Sequence, residues 1–366
     1  MKIVTILGAR PQFVKAGSVS REIIKRQAKS AELAEVIVHT GQHYDNNMSR
    51  IFFDELKIPR PNYNLGIGGV AQGAMTGQMI EGIEEILLQE QPHWVLVYGD
   101  TNSTLAGAIA ASKLHLKIAH VEAGLRSFNI HMPEEINRIL TDRISRRLFC
   151  PTEIAVENLE NEGVGKWGAD ARVVLSGDVM LDSAIFYKNL AQKPDEVDIS
   201  ESFILCTIHR SENTDNPDRI GGIFSALNEI ASNKQVIIPI HPRTRKILEQ
   251  GSCSTSNLTL TNPVGYLNMI WLIDHCDLVM TDSGGLQKEA FFFKRPCITM
   301  RDETEWVELV DHGFNKVVGT GKSDILDTYY NGKFSQNFNI ELYGCGKASS
   351  VIVDSLLDDA DSRSDL

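Results

Sequence analysis

The feature that most restricts this chain is an alternation of short, β-branched apolar runs with longer amphipathic stretches, and the pattern occurs twice. In the first half, Lys2–Leu7, Glu35–Thr40, Trp94–Tyr98, Lys117–Val121 and Arg147–Cys150 read as strands. Between them Pro11–Arg26, Gln78–Gln89, Thr101–His115, Pro133–Arg146 and Thr152–Glu162 read as helices. Pro11 suits a first helical turn, where its missing N–H costs nothing. The alternation restarts after Gly177, with strands expected at Phe203–Thr207, Gln235–Pro239, Leu258–Thr261, Leu278–Met280 and Cys297–Thr299. Strands that are apolar throughout and separated by helices belong to parallel sheets covered on both faces. The expectation is an α/β chain of two Rossmann-like, doubly wound domains with an interdomain cleft. Residues 1–175 form the first, 176–346 the second, and 347–366 a C-terminal helix packing back across the domains, with a frayed tail.

Charge narrows the partners. The chain has 36 Lys and Arg against 48 Asp and Glu, a net charge of −12. That balance repels phosphate-rich surfaces, so neither nucleic acid nor a membrane surface is an expected partner. A local group of cations at a helix N-terminus still suits a small anion. The six cysteines (Cys150, Cys206, Cys253, Cys276, Cys297, Cys345) follow neither zinc-ribbon nor disulfide spacing, which points to a reducing compartment. No apolar run approaches the ~20 residues of a membrane span, and Ile3–Leu7 reads as a strand rather than an export signal.

Two glycine-rich stretches imitate nucleotide motifs. Gly66–Ala71 fits a dinucleotide pattern, but Pro59-Arg60-Pro61-Asn62 stands where a buried strand should, so NAD is not expected. Gly319-Thr320-Gly321-Lys322-Ser323 has Lys316 where a phosphate loop needs its first glycine, and reads as a turn with a helix cap.

Ligands of open α/β sheets bind beyond the carboxyl ends of the strands, so the residues after each strand are the candidates. The first strand runs into Gly8-Ala9-Arg10-Pro11-Gln12, with Lys15 one turn later: a tight turn, a helix N-terminus and two cations. Asp100 follows the third strand and either caps the next helix or carries chemistry. Glu122 stands at a buried strand end, where an acid is harder to explain as a cap. Glu134 and Arg138 are spaced i to i+4, on one helical face. Asp100, Glu122 and Glu134 thus emerge from one sheet edge, a cluster suited to acid/base work. In the second half, His209-Arg210 and His241-Pro242-Arg243 end two strands. Thr281-Asp282-Ser283-Gly284-Gly285 opens a helix with two glycines, which lets a diphosphate approach backbone N–H groups, and Glu289 follows about one turn in, suited to a ribose diol.

In this order, Gly8-Ala9-Arg10-Pro11 with Lys15, Thr40-Gly41-Gln42-His43, Gly99-Asp100-Thr101, His120 to Arg126, Pro133 to Arg138 and Thr281 to Gly285 resemble the motifs of the non-hydrolysing UDP-N-acetylglucosamine 2-epimerases. The resemblance spans nearly the whole chain. It implies a GT-B fold with UDP held mainly by the second domain and the sugar facing the first, a cytoplasmic homodimer, and no cofactor or metal. It also implies the reaction: a carboxylate takes the C2 proton as the C1–O bond breaks, and UDP re-adds to the 2-acetamidoglucal after a proton reaches the other face. On the matching positions, Asp100, Glu122 and Glu134 would be the acid/base set, with Lys15 and Arg138 supporting them. Arg10, His209, Ser283, Gly284 and Gly285 would serve the diphosphate, Glu289 the ribose, and the backbone near Met269 the uracil, with His241 alongside. The product would supply bacterial surface polysaccharide such as O-antigen.

Two departures stand out. Thr304-Glu305 is followed by Trp306, where the better-known acetylglucosamine enzymes carry Arg. Tyr44-Asp45 and Gly68–Gln78 lack the Gln and Arg residues that build a regulatory substrate site in some members. Both resemble a sibling group acting on UDP-2,3-diacetamido-2,3-dideoxyglucuronate. A uronate would want a cation near C6, for which Arg126 and Arg301 are candidates. A GT-B glycosyltransferase, or a UDP-sugar-binding protein without catalysis, stays open on the residues alone.

Overall fold

The computed structural model describes residues 1–28, 33–41, 50–167, 170–195, 197–249, 251 and 253–361. The chain divides into two compact units, one of Met1–Ser183 together with the chain from Glu341 onward, the other of Ala184–Ile340.

Unit one is built on a parallel sheet of seven strands: β1 Lys2–Leu7, β2 Ala34–His39, β3 Tyr63–Asn64, β4 Trp94–Tyr98, β5 Lys117–Val121, β6 Arg147–Cys150 and β7 Arg172–Leu175. Their order is β3-β2-β1-β4-β5-β6-β7, so the winding reverses between β1 and β4. Central β4 is buried along its whole length, as its unbroken apolar run requires of a strand covered on both faces. The helix Asn102–Lys113 lies close to the sheet because its buried residues are mostly small; a Cβ on Gly107 would come within 3.1 Å of Ile6 and Val97. The C-terminal helix Ala348–Asp361 packs on the helix Arg10–Gln27, where Arg26 meets Asp354 at 2.7 Å. Its first N–H groups, those of Ala348 and Ser349, donate to the Asp182 carboxylate at 3.1 and 2.8 Å.

Unit two repeats the scheme with six parallel strands: β8 Phe203–Thr207, β9 Gln235–Pro239, β10 Thr259–Thr261, β11 Leu278–Thr281, β12 Cys297–Thr299 and β13 Asn315–Val317. The order β10-β9-β8-β11-β12-β13 reverses between β8 and β11. Ile204, Cys206, Val236, Ile238, Met280 and Ile298 pack with Ile220, Phe224 and Leu227 of the helix Pro217–Ala231 on one face of this sheet.

Three strands were not expected from sequence: β3, β7 and β13, all at sheet edges. Each is short and partly exposed, so it lacks the apolar run that marks a buried strand. The helix Gln72–Glu90 begins six positions ahead of the expected Gln78, running through Gly73 and Gly77 despite their poor helix propensity. Gly319–Ser323 does form a turn, with Gly321 as N-cap of the helix Lys322–Asn331. All six cysteines are free. Burial pushes the Cys276 and Cys297 thiols up to about 12, which makes them inert packing groups. No helix among the described residues is long and apolar enough to cross a membrane.

Candidate active site

The chemistry collects at the two points where the strand order reverses, the expected ligand positions of doubly wound sheets. In unit one, β1 runs into Gly8, where any side chain would collide: a Cβ would lie 1.8 Å from Ser103 Oγ and 2.5 Å from Thr40 Oγ1. Gln12 then ties the turn to β4. Its Oε1 accepts from the N–H groups of Gly8 (2.8 Å) and Ala9 (3.0 Å), and its Nε2 donates to the Tyr98 carbonyl at 2.7 Å. Arg10, half-buried, and Lys15 follow on the same helix.

Lys15 Nζ pairs with Glu122 Oε2, with side-chain exposures of only 17% and 9%. Glu122 has φ 74°, a left-handed backbone conformation that costs a non-glycine residue roughly 1–3 kcal/mol. Gly99, itself at φ 63°, lies directly against this pair: a Cβ there would fall 3.1 Å from Glu122 Oε2 and 3.5 Å from Lys15 Nζ. The next residue is Asp100. The cap of the helix Asn102–Lys113 is Thr101, whose hydroxyl accepts from the Thr104 N–H, so Asp100 is not spent on capping. It accepts instead from Arg138 Nη2 at 2.6 Å. Arg138 is shared with Glu135, at 3.0 Å, and Glu135 also accepts from the N–H groups of Ser127 and Phe128, both at 2.9 Å. Burial would raise the Glu135 carboxyl, but these donors together hold it below the usual carboxylate range.

Unit two presents mainly cations and donors. Buried Asp282, just past β11, gathers the loop after β8: it accepts from the N–H groups of His209 (3.1 Å) and Arg210 (3.0 Å) and from Asn213 Nδ2 (3.2 Å), with His209 Nδ1 at 3.3 Å. Burial raises its carboxyl, and those donors more than reverse the effect. The His241 ring lies 5.9 Å from that of His209. Partial burial, then the charges of His209 and Arg243, push His241 down, which favours its neutral form. Ser283 caps the helix Gly284–Phe292. Gly285 is open, with nothing among the described residues within 4 Å of a Cβ position, so its backbone is approachable. Gly284 is the opposite case, with Glu305 Oε1 2.2 Å from where its Cβ would be. Glu305 pairs with Arg301 at 2.9 Å. Trp306 donates from Nε1 to the Gly284 carbonyl at 3.0 Å, and Lys288 Nζ sits 4.0 Å from the Trp306 ring centre. Glu289 is buried and accepts from the Tyr266 hydroxyl at 3.1 Å; Met269, half-buried, is on the helix Tyr266–His275. Among the described residues no group of His, Cys, Asp or Glu is arranged to hold a metal.

The description of one protein family, UDP-N-acetylglucosamine 2-epimerase, matches residues 25–357. The chain belongs to that family. Among its relatives, this epimerase is 55% identical over 359 residues to the UDP-2,3-diacetamido-2,3-dideoxy-D-glucuronate 2-epimerase of Pseudomonas aeruginosa, covering 97% of this chain and 99% of that one. The structure of Methanocaldococcus jannaschii UDP-GlcNAc 2-epimerase in complex with UDP-GlcNAc and UDP is 41% identical, with a TM-score of 0.85 over 98% of this chain and 100% of that one. The Neisseria meningitidis enzyme bound to UDP-GlcNAc is 29% identical, with a TM-score of 0.82 over 98% of this chain and 100% of that chain. The fold is GT-B-like, two parallel-sheet α/β units, as expected.

Within the epimerase, the structure brings Lys15 to Glu122 and Arg138 to Asp100. Glu134 and Arg138, expected on one helical face from their i to i+4 spacing, do not pair. Glu134 points to solvent, and the acid beside Arg138 is Glu135, one turn away at i to i+3. Arg126 is no candidate for a substrate cation, because its side chain is 1% exposed and all three of its nitrogens donate to Leu125, Asp142 and Glu162. Gln42, His43, Tyr44 and Asp45 lie outside the described residues. Sequence reasoning missed Glu135, Asp282 as the organiser of the His209 loop, and Glu305. Their signal was adjacency to motif residues, but nothing in spacing says which of two neighbouring acids turns inward.

Proposed function

We propose that this epimerase inverts C2 of a UDP-2-acetamido sugar by eliminating and re-adding UDP, with UDP-2,3-diacetamido-2,3-dideoxyglucuronate as its preferred substrate. The observation that carries the reaction is the pair of cation-held acids at the switch point of unit one, Glu122 with Lys15 and Asp100 with Arg138. Two-sided proton traffic needs two acid/base groups, and each of these acids is held in place by its cation. One acid takes the C2 proton while the C1–O electron pair leaves with UDP; a proton then returns to the opposite face and UDP re-adds. Glu134, exposed at the start of its helix, completes the set. The leaving diphosphate gains charge, and fixed donors stabilise such charge best. Arg10, His209, Ser283 and the Gly284-Gly285 backbone are assigned to it, Glu289 to the ribose, the backbone near Met269 to the uracil, and His241 to the same anion site.

The diacetamido uronate is supported by the 55% identical relative and by Trp306, at the position where the resemblance gives the better-known acetylglucosamine enzymes an Arg. UDP-GlcNAc is the second reading, favoured by the 41% identical structure that binds it. The proposal includes cytoplasmic work as a homodimer supplying surface polysaccharide, readings that rest on the family resemblance; light scattering on the purified chain tests the dimer. Incubation with either UDP-sugar in D₂O, followed by NMR, tests the chemistry. Deuterium should appear at C2 of product and, on reversal, of substrate. Inverted but unlabelled product would sink the elimination route.

A further inference from the structure

His120, near the end of β5, and Asp142, on the helix Pro133–Ile144, are both wholly buried. His120 Nδ1 lies 2.6 Å from Asp142 Oδ1, and its Nε2 lies 2.7 Å from the Gly99 carbonyl oxygen. A carbonyl oxygen only accepts, and so does an ionised carboxylate. Burial raises the Asp142 carboxyl, but His120 and Arg126 outweigh it and hold the group below its usual range. Nε2 therefore donates to the Gly99 carbonyl, and the 2.6 Å contact of Nδ1 holds the ring against Asp142. The other groups around the pair are Arg126 Nη1, 2.8 Å from Asp142 Oδ2, and the Gly124 N–H, 3.1 Å from the same oxygen. Glu162 balances Arg126 at 2.6 Å, and the Cys150 thiol, pushed well up by burial and by Asp142, stays neutral.

The atoms held by this pair are backbone atoms of two acid-bearing turns. Gly99 immediately precedes Asp100. Gly124 closes the turn in which Glu122 takes its left-handed φ. Asp142 itself lies one turn beyond Arg138, on the helix whose first turn carries Glu134. We propose that His120 and Asp142 are positioning residues for epimerisation: His120, held by Asp142, anchors the Gly99-Asp100 turn through Nε2, while Asp142 anchors the Glu122 turn. The inference rests on the assignment of Asp100 and Glu122 to proton transfer.

The test uses the full chain with His120→Gln, Asp142→Asn and Asp142→Glu. In the wild type, ¹⁵N–¹H NMR should find a proton on His120 Nε2, hydrogen-bonded to the Gly99 carbonyl. Asp142→Asn should lower kcat about 10²-fold, the loss typical of a small misplacement of reacting groups, with KM and UDP affinity changed less than about twofold. C2 deuterium exchange should fall in step with kcat, and Asp142→Glu should recover part of both. A wild-type His120 Nε2 without a proton would overturn the proposal, and so would a folded Asp142→Asn variant with undiminished kcat. If both neutral variants fail to fold, the wild-type ring spectrum decides alone. Full turnover by Asp100→Asn and Glu122→Gln would instead overturn the acid assignment itself, leaving the ring spectrum to judge the pair.

Discussion

Lys15 reaches Glu122 across the end of the sheet, and the two come together because Gly99 leaves them room. The acid carries a left-handed backbone, the cation comes from the helix after β1, and the glycine comes from the end of β4. Three chain segments far apart in sequence thus build one ion pair at the reversal of strand order. Strain at one residue, held by packing from two others, is the usual sign of a site whose geometry is tied to function.

Lys15→Met should be strongly destabilising, because it leaves the Glu122 carboxylate in a largely buried place without its cation. Removing one side of a buried pair costs about 3–5 kcal/mol, and the 17% exposure of Lys15 points to the lower end. The double variant Lys15→Met/Glu122→Gln should recover much of that loss, since it removes the charge as well. Denaturant titration of both single variants and the double variant measures the coupling. Strictly additive losses would mean the pair contributes nothing beyond its separate side chains.

Asp100→Asn, Glu122→Gln and Glu134→Gln should each cut turnover by about 10²–10⁴-fold, the usual worth of one general acid or base. UDP affinity, measured by calorimetry, should change little, because the groups assigned to UDP are mainly those of unit two. Near-normal turnover in all three variants would remove the acid assignment. Glu134 is the most exposed test, because it projects into solvent while Glu135 holds Arg138.

The legible part of this molecule was whatever a continuous apolar run declares. β1, β4, β5, β6, β8, β9 and β12 have the bounds read from sequence, because strands buried on both faces need such runs. The edges were silent: β7 is Arg-Val-Val-Leu with both ends exposed, and β13 is Asn-Lys-Val. In the site, the position of Asp100 and Glu122 after their strands was readable, and their cations were named. Which neighbour turns inward was not. Glu134 and Glu135 differ by 100° around a helix axis, and only the packing of the 125–130 loop selects the second for Arg138. Trp306 looked like a lost substrate contact, and the structure gives it another task, buried beneath Lys288 and bonded to Gly284.

Asp282 predicts the acid limit of unit two. Burial raises its carboxyl, but His209 and the neighbouring N–H groups bring it below the usual value. A carboxyl depressed in the folded state contributes stability above its unfolded value of about 3.9, and that contribution fades as pH falls through the lower folded value. Thermal midpoints should therefore be nearly flat from neutral pH to about 5 and drop below about 4. Asp282→Asn should start lower at neutral pH and fall less steeply on acidification. Parallel curves for the two proteins would show that Asp282 is not a source of the acid sensitivity.

Trp306→Phe keeps an aromatic ring under Lys288 and removes only the N–H that holds the Gly284 carbonyl. One such hydrogen bond is worth about 0.5–1.5 kcal/mol, so UDP affinity should weaken by roughly 2- to 10-fold through a loosened glycine turn. Calorimetry with UDP checks this. Unchanged affinity would mean that the Gly284 turn is held by Ser283 and Glu305 without help from Trp306.

Substrate choice is the sharpest consequence of the same region. Trp306 is buried and cannot offer a cation to a sugar, and Arg126 is consumed by Asp142 and Glu162. Of the two candidate partners for a uronate carboxylate, Arg301 is left. Its Nη1 holds Glu305, while its buried Nε has no hydrogen-bond partner among the described residues. A site that hydrogen-bonds a substrate group rejects analogues lacking it, because its own buried polar atoms are then stranded, with discrimination of order 10⁴-fold in favourable cases. UDP-2,3-diacetamidoglucuronate should therefore give a much larger kcat/KM than UDP-N-acetylglucosamine on one preparation, without activation by added UDP-N-acetylglucosamine. Arg301→Met should cost the uronate more than the neutral sugar, narrowing that ratio. Equal or faster turnover of UDP-N-acetylglucosamine by the wild type would return the chain to the acetylglucosamine enzymes and leave Trp306 as a packing substitution.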